Sequence, residues 1–279
     1  MREIKTRDGR TLAVEEWGVP GGTPLLYAHG TPVSRLARYP YDEAFTERGI
    51  RQITFDRPGY GYSTANPGRR VADVAADMAA IADALELERF GVYGVSGGGP
   101  HALAFAAAYP ERVSRVAVLA CTAPRDAEGL DWTADMYQGN RDSATAAAQG
   151  REVLTAHLAA ASGPNLKDLL PEAEQAVIAE PAVASMMQAA FAEAFRNGQD
   201  GWIDDELALY ALPWGFDPAD ITVPVRLWHG ERDTLVPPAH SDWLAARIPD
   251  ATLVREPDAG HAGHFRATPS TLDWLLGAD

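Results

Sequence analysis

Cysteine and lysine are scarce in this 279-residue chain: Cys121 is the single cysteine, and only two of the 24 basic residues are lysines. One cysteine excludes an intramolecular disulfide and a zinc site built from cysteine thiolates. No apolar run approaches the ~20 residues of a membrane-spanning helix, and residues 1–5 lack the apolar core of a signal peptide. We therefore expect a cytoplasmic protein that has no membrane segment and no metal site.

Positive charge is also in short supply, because 39 acidic residues against 24 basic ones give a net charge of −15. An acidic surface repels phosphate backbones, which disfavours nucleic-acid binding. The 46% of apolar residues is ordinary for a folded globular protein and sufficient for a core. The expected partner is a small molecule, and both a monomer and a homodimer remain open.

Short apolar runs recur along the chain and are typical of buried parallel strands. The runs cover residues 24–28, 50–55, 90–95, 113–119, 224–228 and 251–255. A hairpin is predicted before them, over residues 3–17, from the turn signal Asp8-Gly9. Helical patterns at residues 71–85, 100–109, 240–248 and 270–276 alternate with the runs. This alternation predicts an α/β fold, with a mostly parallel sheet flanked by helices.

Residues 124–214 interrupt the alternation, because they contain no convincing strand. The segment is alanine-rich and helical, with breaks at Gly163-Pro164, Pro171 and Pro181, and it carries 15 acidic and five basic residues. We interpret it as a helical cap inserted into a core domain of residues 1–123 and 215–279; the alternative is a run of packed surface helices. Its aromatic side chains are candidate substrate-binding groups, namely Trp132, Tyr137 and Phe191.

The strongest chemical signal is the pentapeptide Gly94-Val95-Ser96-Gly97-Gly98, which fits G-x-S-x-G between a predicted strand and a predicted helix. In that context the small residues permit a sharp turn, and the serine hydroxyl points out of the sheet as a nucleophile. A glycine-rich phosphate-binding turn is the alternative. It is disfavoured because no lysine follows, as it would in a P-loop, and no suitable acidic residue lies downstream.

A serine nucleophile needs a base, and the base needs an orienting carboxylate. In this architecture the carboxylate precedes the histidine along the chain. Asp233 lies in the loop after a predicted strand, at the sheet edge expected for Ser96. We predict that Asp233 is the acid, with Glu231 and Asp126 as competitors.

Two histidines follow the last predicted strand, in the run Gly260-His261-Ala262-Gly263-His264. His261 lies nearer the end of that strand and is predicted to be the base, while His264 remains an alternative. His157 lies in the inserted segment and His101 precedes the acid, so both fit less well.

A tetrahedral intermediate needs preorganised donors for its oxyanion. The backbone N–H of Gly97, directly after the nucleophile, is one predicted donor. The backbone N–H of Thr31, in the loop after an early strand, is the other. The side chain of His29 is expected to reinforce that loop through a hydrogen bond.

Taken together, these motifs resemble the α/β-hydrolase superfamily. The resemblance rests on five motifs in the order of the family: residues 29–32 (HGTP), 56–63 (DRPGYGYS), 94–98 (GVSGG), 229–237 (HGERDTLVP) and 260–261 (GH). It implies a mostly parallel, eight-stranded central sheet and a triad of Ser96, Asp233 and His261. Serine at the turn excludes relatives that use aspartate there, such as haloalkane dehalogenases and epoxide hydrolases.

The leading hypothesis is a cofactor-free serine hydrolase that cleaves a small to medium neutral carboxylic ester through an acyl-enzyme. The same site suits lactones, thioesters, amides or peptides, carbon–carbon bonds or perhydrolysis, because the fold hosts many reactions. A hypothesis from another class is a non-catalytic receptor for small molecules on the same fold. Turnover that disappears in Ser96→Ala favours the enzyme, and tight binding without turnover favours the receptor.

Overall fold

The computed structural model describes residues 1–160 and 172–278, and eight of its strands form one sheet. The spatial order is β1-β2-β4-β3-β5-β6-β7-β8. β1 and β2 pair antiparallel, as do β2 and β4, and all other neighbours pair parallel. The strands are β1 (Arg2–Lys5), β2 (Thr11–Gly18), β3 (Thr23–Ala28), β4 (Ile50–Phe55), β5 (Phe90–Val95), β6 (Val113–Leu119), β7 (Val225–Gly230) and β8 (Ala251–Glu256).

Every predicted strand is present, with ends within two residues of the prediction, and the hairpin forms across the Asp8-Gly9 turn. The parallel strands β3, β5, β6 and β7 are almost entirely buried, as continuous apolar runs require. Parallel strands end at the same edge of a sheet, so the loops after β3, β5, β7 and β8 converge there. This edge is therefore where the predicted functional residues gather.

Helices cover both faces of the sheet. The described α-helices are α1 (Glu43–Thr46), α2 (Val74–Ala84), α3 (Gly99–Ala108), α4 (Gln138–Ala148), α5 (Arg151–Ala160), α6 (Glu172–Ala179), α7 (Pro181–Ala194), α8 (Asp200–Tyr210), α9 (Ala239–Arg247) and α10 (His264–Leu275). α2, α3 and α9 bury their apolar residues on one face, and α1 and α10 on the other. None of the helices in the described parts of the chain combines the length and apolar character that crossing a membrane requires.

α10 begins at His264, six residues before the predicted start at Ser270, and includes Pro269. Pro269 has no N–H to donate, which is why the sequence predicts a break there. The first turns of α10 nevertheless bury Phe265 and Thr268, and the Thr268 hydroxyl donates to the His264 carbonyl at 2.8 Å. Burial on the sheet therefore outweighs the local signal of the proline.

Between β6 and β7, the described residues form the helices α4 to α8 and no strand. We call residues 124–214 the inserted segment. The predicted break at Pro181 falls at the start of α7, whereas those at Gly163-Pro164 and Pro171 lie outside the described residues. α4, α5 and α8 share an apolar cluster that includes Leu154, Leu158 and Ile203.

A fully buried carboxylate on α8 joins the inserted segment to the sheet. Asp205 forms ion pairs with Arg57 Nη2 at 2.5 Å and Arg69 Nη2 at 2.6 Å, and it accepts the Tyr60 hydroxyl at 3.0 Å. Burial alone would raise the pKa of Asp205, but the two guanidinium groups hold it well below its usual range. Asp205 is therefore ionised, and α8 is anchored to the loop after β4 by charge.

We expect Asp205→Asn to lower the free energy of unfolding by about 3–5 kcal/mol, because it removes the carboxylate that pairs with the buried Arg57 and leaves Arg69 only the longer contact with Asp204, at 3.5 Å. Urea denaturation followed by circular dichroism measures the change. The matched control is Asp200→Asn on the same helix, where an exposed carboxylate pairs with Arg151 at 2.8 Å and should contribute little. Equal stability of the two variants would contradict the anchoring role of Asp205.

Candidate active site

Ser96 occupies a strained turn between β5 and α3. Its φ of 53° lies in the left-handed region that side chains rarely adopt. A Cβ at Gly94 would lie 2.6 Å from the Gly98 carbonyl oxygen, and a Cβ at Gly98 would lie 2.1 Å from the Ala28 carbonyl oxygen. Both flanking positions therefore require glycine, which gives the spacing of the G-x-S-x-G motif its physical reason.

The loops after β7 and β8 bring Asp233 and His261 into direct contact. His261 Nδ1 lies 2.7 Å from Asp233 Oδ2. Since a carboxylate only accepts, Nδ1 carries the proton and donates it to Asp233. The other ring nitrogen, Nε2, is thereby left as the basic nitrogen of the His261 side chain.

The Asp233 carboxylate is buried and held on its other side. Its Oδ1 accepts the backbone N–H groups of Leu235 at 2.9 Å and Val236 at 3.0 Å, and His229 Nε2 lies 3.4 Å from its Oδ2. Burial would raise the pKa of Asp233, but interactions with His261 and His229 outweigh it and hold the pKa below its usual range. Asp233 is thus a fixed, ionised carboxylate.

The pKa of His261 is raised above its ordinary value. Burial acts in the opposite direction, but the charge of Asp233 and its hydrogen bond prevail, with a further contribution from Glu174. A carboxylate at this distance stabilises the imidazolium that forms when the ring accepts a proton. The pair therefore suits general-base chemistry.

The structure separates the competing residues from the pair. His264 Nδ1 bonds the carbonyl of His261 at 2.8 Å, and burial together with the charge of His261 lowers the pKa of His264 to about 4. Glu231 and Asp126 are exposed. Among the candidate acids and bases, the observed contact is therefore the one between Asp233 and His261. Cys121 is fully buried and packs as a small core residue.

Thr31 and Gly97, the predicted oxyanion donors, lie against each other. A Cβ at Gly97 would lie 2.4 Å from Thr31 Oγ1, and one at Gly30 would lie 3.6 Å from Ser96 Cβ. The Thr31 hydroxyl donates to Asp205 at 2.7 Å and accepts Arg57 Nη2 at 2.9 Å. The inserted segment therefore helps to fix the loop beside the serine.

The loop after β3 is also held from the core, through His29. Its Nδ1 donates to the Gly30 carbonyl at 2.7 Å, and its Nε2 accepts the Arg57 backbone N–H at 3.2 Å. Burial, with the nearby Arg57 charge, lowers the pKa of His29 well below its usual value, so the ring is neutral. The prediction that His29 reinforces this loop is confirmed.

The three aromatic candidates of the inserted segment lie in different environments. Trp132 is buried and donates its Nε1 proton to the Ala123 carbonyl at 2.9 Å. The Tyr137 backbone N–H donates to the Thr234 carbonyl at 2.7 Å, next to Asp233 in the chain. Phe191 lies on α7 and is 37% exposed. The structure does not bring the three into one cluster.

Two acidic residues at the site were missed by the sequence analysis. Asp205 anchors the Thr31 loop, and Glu174 accepts backbone N–H groups of the turn that carries His261. A run of three acidic residues at 204–206 inside a mainly buried helix is a signal that could have indicated Asp205. Glu174 has no comparable signal, since it is one glutamate in an alanine-rich stretch.

Comparison with known proteins places this site in a family. The family model described as alpha/beta hydrolase fold matches residues 23–268, which is most of the chain. The chain belongs to the α/β-hydrolase fold family. The family match confirms the resemblance that the motifs indicated. The eight-stranded, mostly parallel sheet is also confirmed. Hydrolases of the esterase type are among the relatives of this α/β-hydrolase.

Relatives of this α/β-hydrolase differ in how much of the chain they match. An uncharacterized hydrolase of Bacillus subtilis, YcgS, is 38% identical over 113 residues, which cover 40% of this chain and 38% of that protein. A pimeloyl-[acyl-carrier protein] methyl ester esterase of Chromobacterium violaceum is 30% identical over 90% of this chain and 91% of its own. A thermophilic esterase from Thermogutta terrifontis superposes with a TM-score of 0.72 at 25% identity, covering 99% and 98% of the two chains.

We expect Gly98→Ala to destabilise this α/β-hydrolase by about 1–3 kcal/mol, because the added Cβ collides with the Ala28 backbone. Thermal unfolding measures the loss. Gly30→Ala is the control, since its Cβ would meet its nearest atom, the Val95 carbonyl oxygen, at an ordinary 3.5 Å. An unchanged melting temperature of Gly98→Ala would contradict the close contact between position 98 and the Ala28 backbone.

Proposed function

We propose that this α/β-hydrolase is a serine hydrolase that cleaves carboxylic esters through an acyl-enzyme. The observation that carries the proposal is the 2.7 Å bond between His261 Nδ1 and Asp233 Oδ2, at the sheet edge where Ser96 is displayed. A strained serine turn and an oriented histidine are the two parts that nucleophilic acyl transfer requires.

In the proposed reaction, Ser96 Oγ attacks the ester carbonyl while His261 Nε2 accepts the serine proton. The N–H groups of Thr31 and Gly97 stabilise the oxyanion, an effect worth about 3–4 kcal/mol for one such donor. His261 then donates its proton to the departing alkoxide. A water molecule, deprotonated by His261, attacks the acyl carbonyl, and His261 returns this proton to Ser96 Oγ as the carboxylic acid leaves. Asp233 orients the imidazole and stabilises its charged form throughout.

We propose that the inserted segment is the cap of a core domain that comprises residues 1–123 and 215–279. Its contacts with the loops at the carboxyl edge of the sheet support this division. Leu209 of α8 packs beside Gly97, and Gly201 approaches the backbone of Gly59 so closely that a Cβ on either glycine would lie within 3 Å of the other. A segment placed there controls access to Ser96.

A neutral ester of small to medium size is the proposed substrate class. The similarity to a methyl ester esterase over nine-tenths of the chain and to a thermophilic esterase supports an ester as the bond that is cleaved. The inserted segment holds 15 acidic and five basic residues, and such a field disfavours anionic substrates at the entrance. No cofactor is needed for this chemistry.

Ser96→Ala is expected to reduce ester hydrolysis by several orders of magnitude without unfolding the protein, because only the oxyanion donors and binding would remain. A fluorophosphonate probe, read by intact mass and peptide mapping, should add once to the unaltered protein, at Ser96. Ser114→Ala is the matched control, because Ser114 lies at the start of β6, at the edge of the sheet away from Ser96.

The same labelling experiment distinguishes the two histidines. His261→Ala should abolish the adduct and His264→Ala should leave it. An adduct on another serine, or loss of labelling only in the His264 variant, would contradict the assignment. Absence of any adduct on the folded protein would favour a ligand receptor.

Activity should fall on acidification, because the base acts only when neutral. Asp233 raises the pKa of His261, so the midpoint of the acid limb of kcat/KM should lie above the ordinary value of about 6.5. Asp233→Asn removes the charge and should move that midpoint to lower pH while reducing the rate. Profiles of both proteins from pH 5 to 9 test this, and an unmoved midpoint would contradict it.

A further inference from the structure

The turn that carries His261 is held by a carboxylate from the inserted segment. Glu174, in the first turn of α6, is 2% exposed. Its Oε1 accepts the backbone N–H of Gly260, and its Oε2 accepts that of Ala262 at 2.9 Å. One side chain thus binds the residues immediately before and after His261.

We propose that Glu174 is a positioning residue for His261. By accepting backbone hydrogen bonds on both sides of the histidine, it orients the turn so that the His261 ring contacts Asp233. This inference rests on the proposed function, since it assigns His261 the role of base. Glu174 acts through the backbone and touches no reacting atom.

The second glycine of the repeated Gly-His pair supports this role. A Cβ at Gly263 would lie 3.0 Å from Glu174 Oε1, 2.7 Å from Ala259 Cβ and 2.8 Å from the Trp228 ring. Glycine at position 263 therefore leaves the space into which the carboxylate fits. The run Gly260-His261-Ala262-Gly263 thus combines two N–H donors with a vacant side-chain position.

Apolar packing aligns the same two elements. Val177 of α6 and Val183 of α7 form a buried cluster with Ala262 and Phe265, which flank the histidine turn. A buried carboxylate without hydrogen bonds would carry a large desolvation cost. The N–H groups of Gly260 and Ala262 provide hydrogen bonds to Glu174. The hydrogen bonds of Glu174 and the apolar cluster therefore hold the same turn, the one that carries His261.

The charge of Glu174 reaches His261 as well. Among the described residues, the charged or titratable groups that face His261 are Asp233 from the loop after β7, Glu174 from α6 and His264 from α10. Both carboxylates raise the pKa of His261. Burial raises the pKa of Glu174, although the N–H groups of Gly260 and Ala262 oppose that rise.

The test compares Glu174→Gln, Glu174→Asp and Glu180→Gln in the full chain. The amide of Glu174→Gln presents an NH2 group to one of the two donors, so we expect kcat to fall about 10- to 100-fold with little change in KM. The acid limb of kcat should move to lower pH. Glu174→Asp keeps the charge but shortens the reach, so its acid limb should stay near that of the unaltered protein while kcat falls partially.

Glu180→Gln is the matched control, because Glu180 also lies in the inserted segment and its carboxylate bonds the Tyr41 hydroxyl instead. It should leave kcat and the acid limb unchanged. Urea denaturation is run on every variant to separate stability from positioning. A Glu174→Gln protein with reduced stability but an unaltered kcat and acid limb would overturn the proposal.

NMR titration of ring-labelled histidine gives a reading that needs no substrate. The pKa of His261 should fall in Glu174→Gln and stay near its starting value in Glu174→Asp and Glu180→Gln. An unmoved His261 titration in Glu174→Gln overturns the inference even where esters are cleaved. Failure of the fluorophosphonate probe to label Ser96 overturns the proposed function instead, and the two failures are therefore distinguishable.

Discussion

The buried carboxylate of Asp205 is the constraint on which the arrangement at the sheet edge depends. A charge with no access to water must be matched where it lies, and here Arg57, Arg69, Tyr60 and Thr31 supply the partners. Because Arg57 also donates to the His29 and Gly30 carbonyls, one ion pair fixes α8 and the loop beside Ser96 together. Moving α8 would therefore expose an uncompensated charge and release the loop.

The inserted segment consequently reaches the proposed active site from two sides. Asp205 holds the loop that contains Thr31, and Glu174 holds the turn that contains His261. The core strands bring the loops that carry Ser96, Asp233 and His261 to one edge of the sheet, but they do not by themselves set the distances between these side chains. The two carboxylates add hydrogen bonds at fixed distances, which is the precision that acyl transfer requires.

The sequence was informative where the signal is local. Apolar runs predicted the strands, and the glycines around Ser96 predicted a turn whose close backbone contacts the structure displays. The partners of Asp205 and Glu174 could not be predicted, because Thr31 lies 174 residues from Asp205 and Ala262 lies 88 residues from Glu174. The sequence favoured His261 over His264 only through its nearness to the strand end, whereas the contact of its ring with Asp233 depends on the three-dimensional arrangement. Pro269 misled the prediction of α10, because burial outweighed a local break.

Anchoring at Asp205 and Glu174 also limits how substrate preference can vary. Helices tied to the loop that contains Thr31 and to the turn that contains His261 cannot shift without disturbing the proposed site, so α6 and α8 have little freedom at those positions. α7 is anchored as well, because Glu193 near its end pairs with the buried Arg35 of the loop after β3 at 2.6 Å, but Phe191 on the same helix is 37% exposed. Side chains there can change size without altering the proposed triad. Substitutions at exposed positions of α7 such as Phe191 should therefore disturb the proposed triad less than substitutions at Asp205 or Glu174, which hold its surrounding loops.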